Sequence, residues 1–177
     1  MMVLVTGGSG SGKSAFAEER VLSFGKGKRI YIATMEPFGE EGRKRVERHR
    51  EMRAGKGFET VERYTNLKEL TVPKGCTVLL ECMSNLVANE MFREDGAKER
   101  TVEEILEGIK CLEEQAGNLV IVTNEIFSDA LAFDGEMETY LKYLGEINRR
   151  VTEEADEAAE VVYGIPVYIK KAKENRE

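Results

Sequence analysis

Residues 7–14 read GGSGSGKS and directly follow an apolar run, Met2-Val3-Leu4-Val5-Thr6. Gly7, Gly12, Lys13 and Ser14 fall on the pattern G-x-x-x-x-G-K-[ST]. That pattern needs a strand before it, a helix after it, and a loop whose backbone N–H groups converge on phosphate oxygens. Glycine lets the backbone turn where a side chain would intrude. Lys13 brings a cation to the outer phosphates, and the Ser14 hydroxyl is a ligand type for Mg²⁺. The following helix adds its positive N-terminal end. Gly8, Ser9, Gly10 and Ser11 complete the cradle. The full motif, with a strand before it and an amphipathic helix after it, sets this segment apart from a glycine-rich turn without a ligand. The chain is read as a binder of nucleoside triphosphate.

Strand and helix patterns alternate from there. A helix is predicted over Lys13–Phe24, stopped by Gly25 and Gly27. Strands are predicted at Arg29–Ala33, Glu59–Arg63, Thr77–Cys82 and Asn118–Thr123, and helices at Glu40–Arg53, Leu86–Phe92, Val102–Gln115 and Glu136–Ala159. Thr101 with Glu104 three residues on predicts a capping box. Glu160–Tyr163 and Val167–Lys170 flank Gly164-Ile165-Pro166 and predict a hairpin-like strand pair. Continuous apolar strands alternating with helices imply an α/β fold: a mainly parallel sheet with helices on both faces. Ligands in such folds bind at the carboxyl ends of the strands, which here are Thr6, Ala33, Cys82 and Thr123. The order of the strands is not encoded in this pattern. Residues 1–171 are expected to form one domain, with a charged frayed tail over 172–177.

A net charge of -7 argues against a nucleic-acid-binding surface spread over the whole molecule. Three widely spaced cysteines, Cys76, Cys82 and Cys111, predict reduced thiols and a cytoplasmic protein. No apolar run approaches a membrane span.

Two further features carry chemistry. Glu81 ends the apolar run VLLE and stands where P-loop proteins hold Mg²⁺ with an acid, usually Asp. The alternative is a solvated strand-end carboxylate. Asn124-Glu125 closes the next strand, as a phosphate or substrate contact or as a cap for the following segment. His49 is the only histidine, and it lies within residues 43–56, where seven Lys/Arg face two acids. On a helix, Arg45, His49 and Arg53 share one face. Such a face can surround a phosphate with guanidinium groups. Cationic neighbours favour a neutral, nucleophilic imidazole, and a neutral imidazole beside a clamped triphosphate can attack phosphorus. Charge pattern alone favours the plainer reading, a solvated basic helix with an incidental surface histidine.

The order of these segments carries a resemblance. MMVLVTGG-x-x-SGKS, YIAT at 31–34, RVERH at 45–49, VLLEC at 78–82 and VTNE at 122–125 together resemble the bifunctional adenosylcobinamide kinase / adenosylcobinamide-phosphate guanylyltransferase family of cobalamin biosynthesis. The resemblance runs from Met1 to about Lys171. It implies a RecA-like P-loop fold and a ring-like homotrimer. It implies two reactions: phosphorylation of the aminopropanol hydroxyl of adenosylcobinamide by ATP or GTP, then transfer of GMP from GTP through a guanylyl-histidine, with Mg²⁺ as cofactor. The matching histidine is His49, acting with Lys13. The matching nucleotide-contacting positions are the P-loop, Ala33-Thr34-Met35, Arg50-Glu51-Met52-Arg53, Glu62 and Glu81. Asn89 also matches a family position, without an assigned role. The expected partners are a nucleoside triphosphate and a corrinoid, with no nucleic acid and no membrane. The chain departs from the family at Gly10, where an arginine is common, and from Ile126 to Ala130, where N-E-V-G is usual.

Two other readings compete: a monofunctional P-loop kinase with an inert His49, and a nucleotide-dependent switch or RecA-like ring motor. The lack of N-K-x-D and of D-x-x-G after the acidic strand weakens the switch, and the net charge weakens a motor on DNA.

Overall fold

The computed structural model describes residues 1–37, 39–126 and 135–171, apart from the side chains of Arg45 and Met52. The strands are β1 (Met2–Thr6), β2 (Arg29–Ala33), β3 (Phe58–Glu62), β4 (Thr77–Glu81), β5 (Asn118–Val122), β6 (Glu157–Val162) and β7 (Ile165–Lys170). The helices are α1 (Lys13–Ser23), α2 (Gly39–Arg53), α3 (Met83–Phe92), α4 (Thr101–Gln115) and α5 (Gly135–Glu154). All seven strands join one sheet in the order β3-β2-β4-β5-β1-β6-β7. Every neighbouring pair is parallel except β6 and β7.

Strand alternation divides the core into two layers. Val3, Val5, Tyr31, Leu79, Val120 and Val122 point to one face, where Ala17 and Val21 of α1 cover them. Met2, Leu4, Ile30, Ile32, Val78, Leu80, Leu119 and Ile121 point to the other, against α3, α4 and α5. Burial on both faces accounts for unbroken apolar strands. Register then aligns the strand ends. Ala33 pairs with both Glu62 and Glu81, and Glu81 pairs with Val122. One row of residues across four strands thus forms the floor beneath the glycine turn.

Three local expectations are corrected. The last helix ends at Glu154, and Glu157–Val162 is a strand beside β1. Ala155, Ala158 and Ala159 are helix formers by propensity, but all three are buried in the core. Small side chains suit a strand pressed between layers, and tertiary burial wins. The capping box does not form: Thr101 lies inside the helix and donates to the Lys98 carbonyl at 2.6 Å. Glu104 instead pairs with Lys68 at 2.6 Å and with Arg100 at 3.1 Å. Finally, α3 begins at Met83, one residue after Cys82, so the acidic strand runs almost directly into a helix. The altered segment after Asn124 lies outside the described residues from 127 to 134, as does the tail at 172–177.

Candidate functional site

The glycine turn joins β1 to α1, as its motif demands. Gly7, Gly10 and Gly12 adopt φ of 155°, 71° and 91°. At Gly7 the requirement is also steric. A Cβ there would lie 2.6 Å from the Val161 carbonyl oxygen and 2.6 Å from Ser11 Oγ. The β6–β7 turn braces the cradle from the side, with the Gly164 N–H donating to the Ser11 carbonyl at 2.8 Å. The Glu125 N–H donates to the Gly7 carbonyl at 3.1 Å, which ties the end of β5 to the same loop. Lys13 Nζ donates to the Gly8 carbonyl at 3.1 Å.

Ser14 opens α1 toward the sheet, and its hydroxyl donates to Glu81 Oε1 at 2.6 Å. Glu81 is only 6% exposed, and its Oε2 is buried without a protein partner. The solvated strand-end reading therefore fails for this carboxylate. His49 Nδ1 stands 3.6 Å from the same Oε1 atom. Burial pushes the Glu81 carboxyl upward, but contacts from His49, Ser14 and Tyr31 outweigh it and hold the group below the usual glutamate range. The Tyr31 hydroxyl moves the opposite way. Burial, then the Glu81 charge, raise it far above the ordinary phenol value, so it stays protonated.

α2 lies against this corner by its C-terminal half. The Arg53 guanidinium stacks 3.3 Å from the Tyr31 ring centroid, and its Nη1 is buried without a protein acceptor. Arg50 reaches toward Glu62 at 3.7 Å. In the turn beyond α2, Lys56 pairs at 2.5 Å with Glu18, a fully buried residue of α1. That ion pair links the P-loop helix to the histidine-bearing helix. The Arg45 side chain, expected on the same face as His49 and Arg53, is outside the described residues.

One cavity of about 770 Å³ collects these groups. Ser9 to Ser14, Ala33, Met35, His49, Arg50, Arg53, Glu62 and Glu81 all line it. The lone histidine and the glycine turn thus share one chamber. Gly7 and Gly8 are not among the lining residues. Thr34 and Glu51 do not reach it. Thr34 is buried, accepts from the Cys82 N–H at 2.7 Å and lies 2.8 Å from the Cys82 carbonyl, so it clamps β2 to β4. Asn89 braces that clamp by donating to the Thr34 carbonyl at 2.8 Å. Glu51 is exposed on α2. Asn124 lines the cavity and donates to Ser84 Oγ at 2.6 Å, joining the end of β5 to α3.

Two contributors escaped the sequence reading. Tyr31 lies within the strand RIYIA, where period-two alternation with Ala33 points it to the site face. The Glu18–Lys56 pair left no local signal, because its partners are far apart in the chain.

A family model described as cobinamide kinase / cobinamide phosphate guanyltransferase matches residues 3–169. The bifunctional adenosylcobalamin biosynthesis protein CobU of Escherichia coli (strain K12) is 32% identical over 184 residues, covering 96% of this chain and all of the relative. The protein of the same name from Salmonella typhimurium is also 32% identical, with the same coverage. CobP of Pseudomonas aeruginosa is 25% identical, covering 96% of this chain and 98% of its own. Among solved structures, an ATPase from the type III secretion system of pathogenic bacteria superposes with a TM-score of 0.56 at 10% identity. That likeness covers 94% of this chain and 56% of the ATPase. A second ATPase domain gives 0.50 at 10% identity, covering 90% of this chain and 68% of its own. These likenesses carry the fold, which is RecA-like. The match over nearly the full length carries the rest: the chain belongs to the cobinamide kinase / cobinamide phosphate guanyltransferase family, transferases of adenosylcobalamin biosynthesis.

Proposed function

We propose that this chain runs both reactions in the cavity that holds the glycine turn and His49. A nucleoside triphosphate held by the glycine turn phosphorylates the aminopropanol hydroxyl of adenosylcobinamide. His49 then takes GMP from GTP, releasing pyrophosphate, and passes it to the phosphorylated corrinoid to give adenosylcobinamide-GDP. The observation that carries this reading is the shared chamber. His49 stands 3.6 Å from the carboxylate that the P-loop serine also binds.

Lys13, the cradle N–H groups and the buried, acceptor-less Nη1 of Arg53 supply positive charge for phosphate oxygens. Ala33, Met35, Arg50 and Glu62 line the chamber beyond the turn and suit nucleotide contacts. Mg²⁺ fits the Ser14 hydroxyl and the Glu81 carboxylate, whose Oε2 has no protein partner. Held by Ser14 and Glu81, such an ion would supply positive charge for phosphate oxygens in phosphoryl transfer. Family resemblance supports a homotrimer. In keeping with an assembly, β7 exposes Ile165, Val167 and Ile169 at alternate positions, beside Tyr163 in the turn. Three unpaired cysteines support a cytoplasmic setting.

The test is incubation with GTP labelled at the α-phosphate. An acid-labile, alkali-stable adduct should form on the wild type and vanish in His49→Asn, while much of the kinase activity survives. GTP-competent protein that forms no adduct would leave a monofunctional kinase. Loss of both activities in His49→Asn would make His49 structural.

A further inference from the structure

We infer that Asn124 binds the acceptor alcohol: its side-chain carbonyl receives the aminopropanol hydroxyl of the corrinoid and sets that hydroxyl beside the glycine turn. The inference rests on the phosphorylation proposed above and names the residue that selects its acceptor.

Asn124 is fastened before any substrate arrives. β5 lies between β4 and β1, so its carboxyl end falls between Glu81 and the glycine turn. On either side of Asn124 the backbone is tied to the P-loop strand and its turn. The Thr123 N–H donates to the Val5 carbonyl at 2.9 Å, and the Glu125 N–H donates to the Gly7 carbonyl at 3.1 Å. The side chain is oriented as well. Its Nδ2 donates to Ser84 Oγ at 2.6 Å and reaches Cys82 Sγ at 3.4 Å. Ser84 is buried in the first turn of α3, and its hydroxyl lies 2.8 Å from Cys82 Sγ, so it has a partner of its own to donate to. With Nδ2 turned to α3, Oδ1 is the acceptor that Asn124 offers in the cavity it lines, and no donor reaches it among the described residues.

The chemistry of this corner matches an alcohol. Cys82, Asn85 and Asn124 line it together with Val122 and Ile126, and all five are uncharged. A phosphate group calls for cations or for several converging N–H groups, and those stand at the glycine turn and on α2. A neutral hydroxyl needs one fixed acceptor for its proton. Val122 and Ile126, two residues before and after Asn124, supply apolar surface for the carbon stem of the aminopropanol. An amide is no base at neutral pH, so Asn124 orients the hydroxyl and takes no proton from it. A polar group built to pair a substrate hydroxyl also rejects analogues that lack it, because the group is then left unpaired.

The test measures what the substrate hydroxyl adds to binding. The full chain is loaded with a non-hydrolysable ATP analogue. Dissociation constants are then measured for adenosylcobinamide and for an analogue that ends in propylamine in place of aminopropanol. The wild type should bind the hydroxylated compound about 10-fold more tightly, as for one shielded hydrogen bond, and Asn124→Ala should bind the two alike. The Kd of the ATP analogue should stay close to the wild-type value, because the cradle and Lys13 are untouched. Ser84→Ala, which frees the amide to turn, should lower the preference to about 3-fold, and it decides the question if Asn124→Ala fails to bind nucleotide. A wild type without the preference, or a variant that keeps it in full, overturns the inference while leaving phosphorylation intact. Weaker binding of the ATP analogue by Asn124→Ala, with the preference retained, overturns it too and gives Asn124 to the terminal phosphate. A wild type that does not phosphorylate adenosylcobinamide when given ATP overturns the kinase reading itself, and this inference with it.

Discussion

Two of the helices that line the chamber, α1 and α2, are held by different physics. α1 buries Ala17 and Val21 against the sheet and follows a strand through a turn whose geometry glycine dictates. α2 is charged along its length, and among its described side chains only Arg53 is buried. Its attachments are polar: Arg53 on Tyr31, His49 beside Glu81, Arg50 toward Glu62, and Lys56 on Glu18 just beyond its end. Apolar burial stabilises α1 whatever occupies the cavity. Polar contacts at the rim of a charged chamber depend on the charges in that chamber. The helix that follows the glycine turn is therefore built into the core, while the helix that carries His49 is moored to the site itself.

The sharpest test of this contrast is Lys13→Ala. The backbone cradle remains, but its cation is gone, and phosphoryl transfer should fall about 100-fold or more in steady-state assays. Unchanged turnover would break the assignment of α1 as the phosphate grip. Arg53→Met comes next. A cation stacked on a shielded ring contributes up to about 2 kcal/mol, so guanylyl-histidine formation should slow about 10-fold and phosphoryl transfer less. Equal losses in single-turnover measurements of the two steps would mean that α2 has no separate mooring.

The pH response of Glu81 sharpens the comparison further. Its folded carboxyl sits below the ordinary range, so its stabilisation is complete above the unfolded value of about 4.3. That stabilisation fades as the pH falls through the lower folded value. At neutral pH, hydrogen bonds to an ionised group of this kind contribute on the order of 1–2 kcal/mol. In metal-free buffer, the difference in Tm between the wild type and Glu81→Gln should therefore shrink on going from about pH 6 to about pH 3. A constant difference would remove the charged carboxylate from the account. The smallest effect belongs to the exposed side of α2. Lys44 pairs with Glu40 in full view of solvent, and Lys44→Gln should change stability by less than about 0.5 kcal/mol and leave both reactions intact. A larger change would mean that the outer face of α2 has a partner.

Much of this was legible in local pattern. The P-loop declares its own neighbours, because phosphate binding by backbone N–H groups requires strand, turn and helix in that order. Glu81 was legible because a carboxylate ending an unbroken apolar strand is costly unless it is used. His49 was visible as a lone imidazole among cations, but its surroundings were only half visible. Its nearest identified charge is the Glu81 carboxylate, which is 32 residues away in the chain. Thr34 and Glu51 show the opposite failing. Both sit beside site residues in sequence, yet one hydroxyl closes onto β4 and the other side chain faces solvent. The end of α5 misled for a related reason, since alanine favours a helix until a neighbouring strand offers it a buried place.

Residue order alone determined what is local: a glycine cradle with its lysine and serine, apolar strands fit only for a sheet covered on both faces, and a basic helix bearing one histidine. Strand order decided the remainder. By setting β4 between β2 and β5, the sheet brings Glu81 under Ser14 and beside His49. The reason is physical. Periodicity and propensity act over a few residues, whereas a buried carboxylate must find its partners wherever the folded chain brings them close.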